Sequence, residues 1–313
     1  MALSRTASRG PTEPPLRRIA LTRETLDEQR GYPFDLSVIA SFERLDVRRR
    51  VLFLVGENGS GKSTFLEALA LSCGFASEGG TRNLQPPARV SADPRNDDTE
   101  APVRRLARAL RLSWTPDRQR DGFFMRAETF YDFASVLDRS ERERDPLGPS
   151  FLGAYGGASL HDRSHGESFL TLFLNRFSGR GLYLLDEPEA ALSAARQMTL
   201  LVRIHDLLSA NRQAQFVIAT HSPIILAYPD AQIVSFDGER LHEIAYRQTD
   251  AYLVTRRFLS DPDTMLRRLF ESDETSNHDD RAKPDDSAKP DDFAEPGRAH
   301  TRTRARAEEP LRE

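Results

Sequence analysis

The residues with the clearest chemistry lie between Val51 and Thr64, VLFLVGENGSGKST. Gly56, Glu57, Asn58, Gly59, Ser60, Gly61, Lys62, Ser63 and Thr64 carry a G-x-x-x-x-G-K-[ST] run, with an apolar stretch before it and Phe65, Leu66, Leu69 and Ala70 at helical spacing after it. Glycine at 59 and 61 admits backbone angles that a Cβ forbids, so consecutive N–H groups can converge on one phosphate. The helix after the loop offers its positive end to the same anion. Lys62 can reach β- and γ-phosphates, and the Ser63 hydroxyl can bind Mg²⁺. A chance glycine-rich turn is the competing reading, and the strand–loop–helix context counts against it. Of the 44 Lys plus Arg residues only three are Lys, and the other two, Lys283 and Lys289, lie in the C-terminal tail. Lys62 therefore marks a place where a compact ammonium is used rather than a planar guanidinium.

Two further segments end apolar runs in polar chemistry. Gly181 to Leu185 leads into Asp186 and Glu187. A strand of this kind delivers its last residues to the carboxyl edge of a sheet, where ligands bind in open α/β folds. Asp186 can hold Mg²⁺, directly or through water, and Glu187 can orient and activate an attacking water. The plainer reading of two adjacent acids is a helix N-cap. Phe216 to Ala219 ends at His221, whose imidazole can donate to a γ-phosphate. Ser164-His165-Gly166-Glu167-Ser168 opens a helix and could form a second anion site, although Ser and Gly start many helices.

The elements needed to position these residues can be read from the same chain. Val51–Val55, Gly122–Arg126, Gly181–Leu185, Phe216–Ala219 and Ile233–Phe236 read as strands. Helices are expected over Phe130–Leu137, Ser168–Phe177 and Ala190–Leu208 and in final stretches ending near Phe270. Strands alternating with helices predict an α/β fold with a largely parallel central sheet. Leu16–Leu21 and Phe34–Phe42 could add edge strands. Tyr32 and Phe34 stand where an aromatic could lie under a base, with a core role as the alternative. Residues 75–102 and 138–163 read as loops. The stretch 1–15 and the acidic tail 272–313, with AKPDD at 282–286 and again at 288–292, read as disordered, which leaves 16–271 as the folded domain.

Bulk composition excludes several classes. A formal net charge of −4 gives no global basic field for nucleic acid. Arg104, Arg105, Arg108 and Arg111 read as a solvated face before they read as a nucleic-acid surface. The single Cys73 rules out an internal disulfide framework or a Cys-rich metal site. No apolar run approaches the ~20 residues needed to span a bilayer, and the N-terminus has no secretory h-region, so a cytoplasmic protein without direct membrane insertion is expected.

Taken in order, these motifs resemble those of the ATP-binding-cassette (ABC) ATPases. GENGSGKST is similar to the Walker A loop, LYLLDEP to the Walker B strand and ATHSP to the switch histidine. RSHGE stands where the family carries its LSGGQ signature, and EAALS looks like the D-loop. The resemblance covers about 16–240 and is nearest to the stand-alone, SMC-like bacterial ATPases labelled predicted or AAA-family ATPases. It implies a P-loop NTPase fold of ABC type with a smaller antiparallel and helical subdomain, ATP and Mg²⁺ as cofactors, and hydrolysis to ADP and phosphate. Gly56 through Thr64 would hold nucleotide, Ser63 and Asp186 the metal, and Glu187 and His221 would be catalytic. It further implies a head-to-tail homodimer in which Ser164 and Gly166 of one subunit meet the nucleotide of the other. The chain departs from the pattern at His165, at Ser193 in place of the D-loop Asp, and at the Q-loop, where FFMRAE offers Arg126 and Glu128 instead of Gln. Competing readings are the nucleotide-binding subunit of a membrane transporter, a DNA-repair or genome-defence ATPase, and a nucleotide-binding regulator with negligible turnover. No heptad-bearing insertion for a coiled-coil arm is present. The sequence names no protein partner, and a nucleic-acid partner has no motif behind it.

Overall fold

Two sheets carry the fold, and their strands are written in different residue patterns. The computed structural model describes residues 13–22, 30–77, 79–82, 101–116, 121–144, 150, 152–162, 165–177 and 179–276. Strands β1 (Leu16–Ala20), β2 (Arg44–Asp46) and, farther along, β4 (Arg111–Trp114) form a small antiparallel sheet in the order β2-β1-β4. Its strands are short and arginine-bearing, with Leu16 and Ile19 turned inward and Arg17 and Arg18 outward. The larger sheet contains β3 (Val51–Val55), β5 (Gly122–Arg126), β6 (Gly181–Asp186), β7 (Ala214–Ala219), β8 (Gln232–Ser235) and β9 (His242–Glu243), in the order β5-β6-β7-β3-β8-β9. The first five strands of that order run parallel, and β9 closes the edge antiparallel to β8.

Every residue of β3, β6 and β7 is buried, because helices and the small sheet cover both faces. Their near-continuous apolar runs are the result. Side chains still alternate across the pleat. Leu52 and Leu54 enter one core with Phe65, Leu66, Leu69 and the inner residues of the small sheet, whereas Val51, Phe53 and Val55 enter a second core on the opposite face.

Helix α1 (Ser37–Ala40) and the long α2 (Lys62–Ser72) belong to the first face, and α3 (Pro102–Ala109) packs on α2. There Ser72 Oγ donates to Ala107 O at 2.6 Å. The second face is covered by α4 (Phe130–Glu143), α5 (His165–Arg176), α6 (Ala194–Ala210) and α7 (Pro223–Leu226), and α8 (Asp250–Ser260) comes after β9. Phe177, just after α5, is the hub of an aromatic cluster. Its ring centroid lies 3.9 Å from Phe173, 4.5 Å from Tyr183, 5.7 Å from Phe123 and 6.5 Å from Phe216. A second unit begins at Asp261 and contains α9 (Pro262–Ser276). No helix among the described residues is long and apolar enough to cross a membrane.

Several local expectations are corrected. Leu16–Ala20 is the middle strand of a separate sheet rather than an edge of the main one. Phe34–Phe42 contains a helical turn instead of a strand. Its buried apolar residues fall at 34, 38, 39 and 42, which is helical spacing. The expected loop from 138 is helical to Glu143, supported by Ser140 Oγ donating to Val136 O at 2.9 Å and by the Glu141–Arg144 pair at 2.6 Å. The helix expected from Ala190 starts at Ala194, because Pro188–Ala191 forms a separate 3₁₀ turn and Ser193 caps α6. Residues 1–12 and 277–313 of the expected disordered ends, and most of 75–102, lie outside the described residues, while α9 continues to Ser276, past the expected end of the folded domain at 271.

Because Phe177 joins the aromatic rings of one core, Phe177→Ala is expected to cost about 3–5 kcal/mol in chemical denaturation, with secondary structure retained by circular dichroism.

Candidate functional site

The carboxyl ends of β3, β6 and β7 are adjacent in the sheet, and the loops leaving them converge. From β3 the chain enters the loop at Gly56, whose φ of 145° brings its backbone so near Asp237 and Ser60 that a Cβ would sit 2.9 Å from an oxygen of each. Gly61 ends the loop at φ 98° and serves as N-cap of α2 without any side-chain cap, so the helix N-terminus is left to bind an anion through its N–H groups. Asp237, at the end of β8, accepts from Glu57 N at 2.7 Å and fixes the loop entrance. Gly59, Ser60 and Asn58 line a cleft of about 310 Å³ together with Val38, Asp237 and Gly238.

Lys62 is the first residue of α2, yet its side chain turns back across the loop. The ammonium donates to Gly56 O at 2.8 Å and Glu57 O at 2.7 Å, and the residue is 4 % exposed. Burial lowers its pKa, while Glu187, Asp237 and Asp186 oppose that shift. Ser63 Oγ donates to Asp186 Oδ1 at 2.9 Å, which ties the start of α2 to the end of β6. Thr64 Oγ1 shares a 2.6 Å hydrogen bond with the half-exposed Tyr32 hydroxyl. Phe34 is instead a core residue, with the Arg105 guanidinium 5.9 Å from its ring. Arg105 also donates to Tyr32 O at 3.1 Å.

Asp186 is buried, and burial raises its carboxyl to about 6 despite the Ser63 hydrogen bond and the neighbouring Arg126. Glu187 comes next in a left-handed conformation, φ 48° and ψ 53°, its N–H donating to Ala219 O at 2.9 Å. Left-handed backbone at a residue with a side chain costs of order 1 kcal/mol and persists where its surroundings fix it. Here the bond to Ala219 at the end of the β6–β7 ladder holds it. The His221 Nε2 atom lies 3.7 Å from Glu187 Oε1, is itself buried and has no hydrogen-bond partner. Ser63, Asp186 and Glu187 line a cleft of about 190 Å³ with Glu128 and Ala190.

Ser164 lies outside the described residues. Gly166, at the start of α5, is buried against the turn after Glu187. A Cβ there would fall 2.3 Å from Arg196 Nη1 and 2.8 Å from Ala191 O, so only glycine allows this approach. Ser193 accepts from Arg196 N at 3.4 Å as the cap of α6.

Sequence reasoning missed three supporting residues. Asp237 was readable only as the polar end of one more parallel strand. Glu189 accepts from the His221 backbone N–H and so holds the histidine loop, while Gln197 accepts from Ser222 Oγ at 2.6 Å in the next link. Nothing in the DEPEAALS spacing assigns these contacts in advance.

A hydroxyl hydrogen-bonded to a buried, incompletely neutralised carboxylate is a donor set suited to a small hard cation. A glycine loop, a helix N-terminus and a buried ammonium beside it suit a phosphate chain. Glycine loop, strand order and converging acids are together the signature of one architecture. This is an α/β fold of P-loop NTPase type, similar to that of the ABC-type ATPases. Residues 168–227, spanning the acid pair and the histidine, match the family model described as "AAA domain, putative AbiEii toxin, Type IV TA system". No curated protein matches the chain. Among solved structures, the SMC head domain from Thermotoga maritima is 18 % identical, with 74 % of this chain and 98 % of that one covered at a TM-score of 0.34. The cbiO1 subunit of the cbiONQ ABC transporter complex of Clostridium perfringens is 14 % identical, with 82 % and 99 % covered at 0.41. An ATP-binding subunit of an ABC transporter is 17 % identical, with 74 % and 90 % covered at 0.38. At such scores the fold assignment rests on the chain's own sheet and loop.

The raised Asp186 carboxyl has a measurable consequence. The native state holds that proton more tightly than the unfolded chain does, so stability falls as pH rises from 3.8 to about 6 and levels off above. Asp186→Asn, neutral throughout, is therefore expected to exceed the wild type by about 1–3 kcal/mol near pH 8 without nucleotide, the gap closing toward pH 4. Urea unfolding at the two pH values measures it, and a variant less stable near pH 8 would contradict the burial argument.

Proposed function

We propose that the protein is an ABC-type ATPase that binds ATP with Mg²⁺, hydrolyses it to ADP and phosphate, and switches by forming an ATP-sandwiched homodimer. The single observation behind this reading is the convergence of Lys62, Ser63, Asp186, Glu187 and His221 from three adjacent strand ends.

The triphosphate would lie along Gly56–Thr64, with the N–H groups at the start of α2 and the Lys62 ammonium toward its β- and γ-phosphates. Two of the three ammonium donors already engage loop carbonyls, so Lys62 is oriented before any phosphate reaches it. Ser63 and Asp186 would hold Mg²⁺, which when bound supplies charge neutralisation to the phosphates. Glu187 accepts the proton of the attacking water. The water oxygen bonds to the γ-phosphorus, the bond to the β–γ bridging oxygen breaks, and ADP leaves. His221 Nε2, buried, unpartnered and near Glu187, would donate to the γ-phosphate or to the water. For dimerisation the support is the resemblance at Ser164 and Gly166. The family description naming a type IV toxin–antitoxin system is the only pointer to a biological setting, and it matches 168–227 alone.

Two variants test this reading. Lys62→Ala is expected to weaken ATP binding about 100-fold or more by calorimetry, since a buried charge-assisted contact is lost. Glu187→Gln is expected to keep ATP affinity, lower kcat about 10²–10³-fold and elute as an ATP-dependent dimer in light scattering. Turnover near wild type in that variant would remove Glu187 from the role of base.

A further inference from the structure

We infer that Arg126 is a positioning residue, the resident counter-ion of Asp186, and that it sets how tightly the site takes a divalent cation. The inference rests on the reading of Ser63 and Asp186 as the cation-holding pair, and it concerns the position where the Q-loop glutamine is missing.

Arg126 is the last residue of β5, directly opposite Asp186 in the parallel β5–β6 register. Its guanidinium Nη1 is 2.9 Å from Glu67 Oε2, Nη2 is 3.3 Å from Glu128 Oε2, and Nε is 3.4 Å from Asp186 Oδ2. The side chains of Arg126 and Glu67 are 18 % and 16 % exposed, that of Asp186 7 %, and that of Glu128 81 %. Glu128 therefore adds little, and the half-dry cluster is one guanidinium between two carboxylates. Among the described residues Arg126 is the only cation within ion-pair distance of Asp186.

The two contacts differ in kind. Nη1 donates a good hydrogen bond to Glu67, whereas the buried Nε makes no hydrogen bond at all, although it faces Asp186. Glu67 anchors the guanidinium, and Asp186 feels it mainly as charge. Glu67 stands one turn beyond Ser63 on α2, so the anchor and the metal-side hydroxyl share a helix face. An anchored guanidinium stays in place when Asp186 takes a cation, and two like charges then face each other across a few ångströms of poorly solvated space. Such repulsion is worth enough to change affinity by about tenfold or more. A glutamine at this place would impose no such cost. The site is thereby tuned toward loose cation binding, which makes loading depend on nucleotide phosphates sharing the cation.

The test uses the full chain with a non-hydrolysable ATP analogue and Mn²⁺, read as free Mn²⁺ by electron paramagnetic resonance. Arg126→Gln is expected to tighten Mn²⁺ binding about tenfold, and Arg126→Lys, which keeps the charge, to stay within about threefold of wild type. Glu67→Gln should act in the opposite sense, weakening Mn²⁺ binding several-fold, because the guanidinium is released toward Asp186. It decides the matter even if Arg126→Gln fails to fold. Unchanged or weaker binding in Arg126→Gln, or unchanged or tighter binding in Glu67→Gln, overturns the inference and leaves the nucleotide site standing. Wild-type protein that takes up no Mn²⁺ with the analogue overturns both.

Discussion

Asp186 is a carboxylate held almost dry at the end of a six-residue buried strand, and the rest of the site is arranged around that cost. Burying an ionised carboxylate is unfavourable unless hydrogen bonds and counter-charge are brought to it. Ser63 brings the hydrogen bond from α2, and Arg126 brings the charge from β5. Neither neutralises it fully, since its carboxyl still titrates near 6. A site left short of positive charge in this way favours a cation, and the glycine loop beside it favours an anion. A metal-complexed polyphosphate satisfies both.

The sheet makes this possible by geometry alone. Strand β3 lies between β7 and β8, and β6 lies between β5 and β7, so residues far apart in sequence leave the sheet at one edge. The register sets Arg126 beside Asp186, Asp186 beside Ala219, and the histidine loop just beyond. A one-residue slip of any of these strands would turn each functional side chain to the opposite face. Full burial of β3, β6 and β7 prevents that slip, because every alternative register places the same apolar residues against the wrong core. Packing in the two cores and chemistry at the edge are thus fixed by the same pairing.

Much of this was legible in the residues, and the parts that were not share a reason. Buried parallel strands announce themselves as apolar runs, so Val51–Val55, Gly181–Leu185 and Phe216–Ala219 could be placed with their terminal Gly56, Asp186 and His221. The small sheet could not be read so well. Strands such as RLSW at 111–114 expose alternate residues and carry arginine, so their apolar signal is two residues long. The end of α4 was lost because SERE at 140–143 has helix-forming residues but no apolar period. Arg126 was visible as a departure from a pattern, but its pairing with Glu67, 59 residues away, belongs to the tertiary structure alone. The same holds for Asp237 on the phosphate loop and Glu189 under the histidine.

Glu187 shows how the scaffold and the chemistry constrain each other. A residue with a side chain in left-handed backbone is a stored cost, and among the described residues only Glu187 and Asp230 have it outside glycine. At Glu187 the conformation ends β6 abruptly, so Asp186 and Glu187 leave the strand in different directions. The first side chain is buried toward α2 and the second is half-exposed toward His221. In a regular strand, neighbours would point to opposite faces of the sheet and one of the two acids would be lost to the site. The Pro188–Ala191 turn then carries Glu189 back to the His221 backbone, closing a loop of contacts from β6 to β7. Strain at one peptide is thus what lets consecutive acids face separate partners, Asp186 the Ser63 hydroxyl and Glu187 the His221 imidazole. The hydrogen bond from Glu187 N to Ala219 O holds that strain in place without consuming either carboxylate.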